Sequence, residues 1–174
     1  MHILMCNDDG ILADGLRRLA SYLSQYYRIT VVAPANEQSA KSHALTTEIP
    51  LKLDAYNGED DNPRLYALTG TPSDCMKFGL SYLLSDDMPD LVISGINHGF
   101  NLGSDVLYSG TVSAAMESCF YGIPGLALSV ERYSAERGDE MHPFIHELID
   151  KIYVKGQFSG LLNLNFPLRG ICDW

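Results

Sequence analysis

The sequence predicts an α/β fold, a Rossmann-like three-layer sandwich with a mostly parallel sheet and an inserted β-hairpin. Short runs of β-branched and apolar residues alternate with amphipathic stretches of helical spacing, as in parallel strands joined by crossover helices. Two further apolar runs flank a polar, turn-forming segment at residues 57–63, which is typical of a hairpin. The 174 residues are expected to form a single domain over 1–174, since about 150 residues already bury roughly 70% of their unfolded surface.

The chain is predicted to open with a β–α–β unit. An apolar strand at Ile3–Cys6 precedes a helix whose leucines recur at helical spacing. These leucines are Leu12, Leu16, Leu19 and Leu23. Residues Ile29–Ala33 then form a second buried strand, which ends at Pro34 because proline has no amide proton to donate. Such a unit favours parallel strands and a right-handed crossover.

The middle of the chain is predicted to contain the hairpin and a capped helix. Apolar and polar residues alternate over 51–55, and a second apolar run follows at 65–68, so we expect two antiparallel strands. Thr71 is a predicted N-cap, with Pro72 at the first helical position and Asp74 in the capping-box place. The inward stripe of this helix is predicted to be Cys75, Met76, Gly79, Leu80 and Leu83.

The second half of the chain continues the alternation of strands and helices. Further strands are predicted at Leu91–Ser94, Leu126–Val130 and Leu161–Phe166. A long loop rich in glycine, asparagine and serine leads into a helix from about Thr111, and another helix is predicted around His142–Tyr153. The helix from Thr111 is predicted to bury Val112, Ala115, Met116, Cys119 and Phe120.

Charge and cysteine content restrict the possible partners and compartment. The 12 basic and 22 acidic residues give a net charge of −10, which opposes binding to nucleic acid or to an anionic membrane. Neither a leader peptide nor an apolar run of about 18 residues is found, so a cytoplasmic location is expected. The four cysteines lack CxxC spacing and are predicted to be reduced thiols rather than a disulfide framework or a zinc site; they are Cys6, Cys75, Cys119 and Cys172.

Two adjacent aspartates directly after the first strand are the most informative feature of the chain. Asp8 and Asp9 lie in the sequence Asn7–Gly10, and neighbouring side chains can share one site only where the chain leaves the strand. Two carboxylates held together repel each other unless a cation lies between them, so we interpret the pair as ligands of a divalent metal ion. The alternative is an Asx turn that caps the next helix and leaves both carboxylates in solvent.

Three loops follow predicted core strands and should meet at one edge of the sheet. They are Asn7–Gly10, Pro34–His43 and Gly95–Gly110, and the carboxyl ends of parallel strands share one edge. The oxygen donors that these loops bring together are predicted to be Asp8, Asp9, Ser39 and Asn97. Hard oxygen donors without a histidine or cysteine set favour one Mg²⁺ or Mn²⁺ ion over zinc.

The third loop ends in small residues at a predicted helix start. In the sequence Ser109-Gly110-Thr111, backbone amides could approach an anion, and the helix terminus would stabilise it by about 0.3–1 kcal/mol. We interpret this segment as a phosphate cradle; the alternative is a structural turn with Thr111 as N-cap. His43 and His98 also lie in these loops, where each either contacts substrate or forms structural hydrogen bonds.

Several motifs along the chain are together characteristic of one protein family. The matches run in order over about residues 1–130, and the segment around PDLVISGINHG is long enough to be highly specific. A later segment, LNLNFP, resembles an asparagine-containing strand of the family. The motifs are Asn7–Gly10, Ala33-Pro34, Gln38-Ser39, Ser42–Leu45, Gly70–Cys75, Pro89–Gly99, Asn101–Gly103, Tyr108–Thr111 and Leu162–Pro167. In these motifs the chain resembles the SurE family of 5'/3'-nucleotidases.

The resemblance implies an activity, a substrate class and a ligand set. Family members are metal-dependent phosphomonoesterases that release phosphate from nucleoside 5'- and 3'-monophosphates, with short polyphosphate as a further substrate. Asp8, Asp9, Ser39 and Asn97 match the metal-binding positions. The resemblance also implies a homodimer or homotetramer, although family members continue past the equivalent of Pro167 and this chain, expected to be a single SurE-like domain, stops at Trp174.

The hypothesis for the chemistry assigns each candidate residue a task. Asp8, Asp9 and Asn97 are the predicted catalytic residues, with Asp8 as general base or water-orienting group. Two alternatives stay open: an aspartate that becomes phosphorylated as the nucleophile, and a regulatory domain that binds nucleotide or metal without turnover. The predicted substrate contacts are Gly95, His98, Ser109, Gly110 and Thr111.

Overall fold

A computed structural model describes residues 1–58, 60–156 and 158–167. It contains a seven-stranded sheet with helices on both faces. The strands are β1 His2–Cys6, β2 Arg28–Pro34, β3 Leu53–Ala55, β4 Arg64–Leu68, β5 Leu91–His98, β6 Gly125–Val130 and β7 Leu161–Phe166. The α-helices are α1 Asp14–Leu23, α2 Pro72–Phe78, α3 Gly110–Cys119 and α4 Ala135–Ile149, and π-helical turns extend α2 over Gly79–Leu83 and α4 over Asp150–Lys155.

The strand order is that of a doubly wound Rossmann sheet with one added edge strand. The order is β3-β4-β2-β1-β5-β6-β7, and every neighbouring pair is parallel except β3 and β4. The chain first builds outward from β1 on one side and then returns to build on the other, so the switch in strand order lies between β1 and β5. The predicted α/β fold is confirmed, and the predicted hairpin extends one edge of the sheet.

Alternate side chains of the central strands fill two separate layers of the core. Ile3 and Met5 pack into the layer under α1 and α4, whereas Leu4 and Cys6 pack into the layer under α2. Both sets are fully buried because β1 is covered on both faces. This explains why the predicted strands are continuous apolar runs rather than alternating ones.

Three sequence predictions about burial and strand length are wrong. Leu12 is 62% exposed and precedes α1, because the turn after β1 delays the helix until Asp14. Phe120, predicted to be buried, is 73% exposed because it lies at the C-cap of α3. Strand β5 continues to His98, since it pairs with β6 on both sides of a bulge between Ser94 and Asn97.

Helix boundaries also differ from the sequence prediction. Ser109, not Thr111, caps α3, and its Oγ accepts a hydrogen bond from the Val112 amide at 3.1 Å. Helix α4 begins earlier than predicted, because Ser134 caps it. The predicted loop before α3 contains a 3₁₀ helix at Gly103–Leu107. The capping box at Thr71 is confirmed.

Cys6, Cys75 and Cys119 are free thiols, whereas Cys172 and the rest of the segment 168–174 lie outside the described residues. Of the helices formed by the described residues, none combines the length and the apolar character that a membrane span requires.

Candidate functional site

The turn after β1 is held by the Asn7 side chain. Its amide donates to the Gly10 carbonyl and its oxygen accepts from the Gly10 amide, both at 3.1 Å. Gly10 has a φ of +99°, which a side chain would strain. The alternative interpretation of this segment is met only in part: Asn7 forms the Asx turn, but α1 has Ala13 as its N-cap, and the aspartates are withdrawn from solvent.

Asp8 lies against the first turn of α3. Its side chain is 6% exposed, and its Oδ1 accepts a hydrogen bond of 2.7 Å from the Thr111 hydroxyl. A Cβ atom on Gly110 would lie 3.0 Å from the Asp8 Cβ and 3.2 Å from its Oδ2, so a glycine there lets the carboxylate approach the helix terminus. Burial is the main cause that raises the pKa of Asp8, while the Thr111 hydrogen bond lowers it.

Asp9 is partly buried beside Asp8. Burial first, and then the charges of Asp8 and Glu37, raise the pKa of Asp9 to about 6, while His98 acts in the opposite direction. Asp8, Glu37 and His98 therefore lie near enough to Asp9 to influence its pKa, at the edge where β1 and β5 end. The site therefore concentrates negative charge in a partly dry environment.

The loop after β2 runs alongside the aspartates. The Gln38 amide donates to the Asp8 carbonyl at 2.7 Å, which fixes this loop against the turn after β1. Ser39 follows directly, is exposed, and donates its hydroxyl proton to the Glu37 carboxylate at 2.7 Å. The sequence prediction did not include Glu37. Its proximity to Asp9 results from the path of the loop and not from a recognisable motif.

Asn97 and His98 are the last residues of β5, and Gly95 lies within the strand. The Asn97 amide group donates to the Gly99 carbonyl at 2.8 Å, which leaves its side-chain oxygen available as a ligand. His98 is exposed and close enough to Asp9 to influence its pKa. Gly95, a predicted substrate contact, is buried within the strand, and a Cβ atom there would lie 2.3 Å from the Leu128 carbonyl oxygen. The requirement for glycine at this position is therefore structural.

The first turn of α3, beside Asp8, contains two backbone amides without a hydrogen-bond partner among the described residues. The Ser109 side chain occupies the Val112 amide, and its carbonyl accepts from the Ser113 amide at 3.1 Å. Within the described residues, the amides of Gly110 and Thr111 have no such partner. Unpartnered amides at a helix N-terminus can bind an anion, as the prediction of a phosphate cradle requires.

The donor set at this edge fits a hard cation better than zinc. Among the described residues, no group of three histidine, cysteine, aspartate or glutamate side chains is arranged to hold a metal ion. The predicted set has two carboxylates, one hydroxyl and one amide oxygen, which is the chemistry that Mg²⁺ and Mn²⁺ select. Burial is the largest cause that raises the pKa of Asp8 and of the partly buried Asp9, and a bound cation would lower both.

Two buried carboxylates, Asp74 and Glu117, hold the loop that carries Ser39. Asp74 accepts from the Thr46 amide at 3.0 Å and from the Thr46 hydroxyl at 2.6 Å. Glu117, which is also buried, pairs with His43 at 2.6 Å. The structural interpretation of His43 is therefore supported, because its ring is used to hold the loop. The capping-box motif predicts the role of Asp74 at the start of α2, but it does not predict the hydrogen bonds from Thr46 to Asp74.

Replacing Asp74 by Asn should loosen this loop. One acceptor oxygen would become an amide group facing the Thr46 and Thr71 donors, and we expect the free energy of unfolding to fall by about 2–3 kcal/mol. Trypsin should also cut more rapidly after the exposed Lys41. Urea unfolding and timed proteolysis measure the two effects.

Asp54→Asn is the matched control for this change. Asp54 pairs with Lys52 on the surface, and exposed ion pairs contribute only about 0–1 kcal/mol. Equal stability and equal cleavage after Lys41 in Asp74→Asn and Asp54→Asn would contradict the loop-anchoring assignment.

Comparisons with known proteins agree with this architecture. Residues 3–173 match the sequence model of the family described as survival protein SurE. The chain is 48% identical over 168 residues to the 5'-nucleotidase SurE of Thermoanaerobacter sp. (strain X514), covering 96% of this chain and 66% of that protein. It is 45% identical to the 5'-nucleotidase SurE of Thermosipho melanesiensis, covering 96% of this chain and 65% of that protein.

A solved structure extends the similarity to three dimensions. The crystal structure of the SurE protein from Aquifex aeolicus superimposes with a TM-score of 0.82 at 36% identity, covering 96% of this chain and 66% of that one. The chain thus spans just under two thirds of the length of these relatives. From the family match over residues 3–173 and the identity to these relatives, we conclude that the chain belongs to the SurE family.

Proposed function

We propose that this chain is a metal-dependent nucleotidase, a phosphomonoesterase that hydrolyses nucleoside 5'- and 3'-monophosphates to nucleoside and phosphate. The observation that supports it most directly is the position of Asp8. A buried carboxylate lies at the switch in strand order, is hydrogen-bonded to Thr111, and is next to Asp9 and the first turn of α3. Family membership supports the same substrate class, since the similar proteins named above are 5'-nucleotidases.

In this proposal the oxygen donors bind the metal ion, and the N-terminus of α3 binds the phosphoryl group. Asp8, Asp9, Ser39 and Asn97 would hold one Mg²⁺ or Mn²⁺ ion, which would supply Lewis-acid neutralisation of the phosphoryl charge when bound. The amides of Gly110 and Thr111 bind phosphoryl oxygens. The Thr111 hydroxyl fixes the orientation of Asp8, so that Asp8 can orient the attacking water or accept its proton.

The remaining predicted contacts belong to the same proposal. Ser109 sets the geometry of the two free amides through its bonds to Val112 and Ser113. His98, exposed beside Asp9, contacts a phosphoryl oxygen of the substrate, and Gly95 supports the strand end that carries Asn97. We also propose short polyphosphate as a second substrate and a homodimer or homotetramer as the assembly, as the family resemblance implies.

Phosphate release from the purified chain tests the proposal. A panel of purine and pyrimidine 5'- and 3'-monophosphates should yield phosphate with Mg²⁺ or Mn²⁺ and none after chelation, and light scattering on the same sample gives the assembly size. Absence of turnover with every nucleotide and metal would reject the nucleotidase in favour of a binding domain. A stable phosphorylated aspartate, trapped by acid quenching, would instead support nucleophilic attack by the protein.

A further inference from the structure

A pocket of about 250 Å³ opens beside the candidate site, at the carboxyl ends of β2 and β4. One wall is the start of the loop after β2, which includes Asn36 and Gln38, and the opposite wall is the 68–71 turn. Because the Gln38 amide donates to the Asp8 carbonyl at 2.7 Å, this wall also touches the turn that holds the two aspartates. The pocket therefore adjoins the proposed phosphate site.

Two side-chain amides without a hydrogen-bond partner among the described residues line this pocket. The Thr46 and Thr71 hydroxyls already donate to Asp74 and to the Ala44 carbonyl. In the part of the chain that the structure describes, the side-chain amides of Asn36 and Gln38 have no hydrogen-bond partner, although both residues line the pocket. Each amide offers a donor and an acceptor in a fixed plane.

Two large aliphatic side chains line the pocket beside its threonines. They are Leu68, which is buried, and Ile49, which is 66% exposed. Among the described lining residues none is charged. A pocket without a cation does not attract a phosphate chain, whereas apolar side chains beside free amides suit a flat heterocycle with polar edges.

We propose that this pocket binds the nucleobase of the substrate, with Asn36 and Gln38 reading its edge and with Ile49 and Leu68 contacting its face. Asparagine and glutamine amides bond adenine in a bidentate manner, because adenine presents a donor beside an acceptor, and apolar side chains commonly cover an extruded base. The inference rests on the proposed nucleotidase function and identifies Asn36 and Gln38 as specificity-determining residues. Short polyphosphate makes none of these contacts.

Two substrates that differ only in the base test this assignment. Adenosine 5'-monophosphate and ribose 5-phosphate share the sugar phosphate, so their kcat/KM ratio isolates the contribution of the base. In the Asn36→Ala/Gln38→Ala double variant we expect kcat/KM for the nucleotide to fall about tenfold or more, with ribose 5-phosphate unchanged. Ile49→Ser should shift the ratio in the same direction, because it removes an apolar contact with the face of the base. Ile49 is exposed, so we expect this variant to fold.

Gln25→Ala is the control, since Gln25 is an exposed amide that follows α1, far from this pocket in the chain's topology. If the double variant lowers kcat/KM equally for both substrates, or leaves both values unchanged, the assignment of this pocket to the base is wrong. If the unmodified chain hydrolyses neither substrate, the nucleotidase proposal fails and adenosine alone becomes the probe. Millimolar adenosine should then shift the NMR signals of the Asn36 and Gln38 side-chain amides, and unshifted signals would overturn the pocket as well.

Discussion

Replacing Asp9 by Asn should abolish most of the activity while making the metal-free protein no less stable. The variant removes one ligand of the proposed ion, and we expect kcat to fall at least about 100-fold, equivalent to about 2.7 kcal/mol of transition-state stabilisation. The same change removes a partly buried charge that Asp8 and Glu37 repel. Loss of activity without loss of stability distinguishes a functional carboxylate from a structural one.

Asp8→Asn should lower kcat to a similar extent, because it also removes a charged ligand of the proposed ion. The fold should be kept, since the amide oxygen of Asn can still accept the hydrogen bond from Thr111. Phosphate release and urea unfolding, with and without Mn²⁺, measure both variants. The added ion should stabilise the unmodified chain and should stabilise either variant less. Asp14→Asn is the control, since Asp14 is an exposed carboxylate in the first turn of α1. Full turnover in either site variant would reject the metal assignment.

The sequence indicates which residues belong in the candidate site more readily than it indicates their surroundings. Asp8 and Asp9 are predicted ligands because two adjacent carboxylates after a strand have few explanations, and the sheet order brings the ends of β1 and β5 together. Glu37 was missed because no motif marks a single glutamate in a loop. Its proximity to Asp9 depends on the Gln38–Asp8 backbone hydrogen bond, which no spacing in the sequence reveals.

The predicted ends of β5 and α3 were wrong because the tertiary structure, rather than the local sequence pattern, sets where these elements end. Strand β5 was expected to end at Ser94, because Gly95 reads as a loop residue, yet β6 pairs with Asn97 and His98 as well. The pairing with β6 therefore keeps Asn97 within the sheet rather than in a mobile loop. Phe120 was expected inside because its spacing continues the apolar stripe of α3, but the helix ends at Cys119 and its side chain turns outward.

Gly95→Ala should cost more stability than any conservative substitution elsewhere in the site. Gly95 has a φ of +127°, and a Cβ atom would lie 2.3 Å from the Leu128 carbonyl oxygen, which is backbone and cannot move aside without displacing β6. The backbone strain of a positive φ and the steric overlap with Leu128 both destabilise the variant, so we expect its free energy of unfolding to fall by about 3 kcal/mol or more. The yield of folded protein and its urea midpoint measure the effect.

Gly99→Ala separates the two contributions. Gly99 has a similar φ of +109°, but among the described residues no atom lies within 4 Å of the Cβ position, so only the backbone strain of about 1–2 kcal/mol is expected. The difference between the two variants is therefore the cost of the contact with Leu128. If Gly95→Ala folds as stably as Gly99→Ala, then β5 and β6 can separate without penalty, and the rigid placement of Asn97 on which the metal proposal relies would be lost.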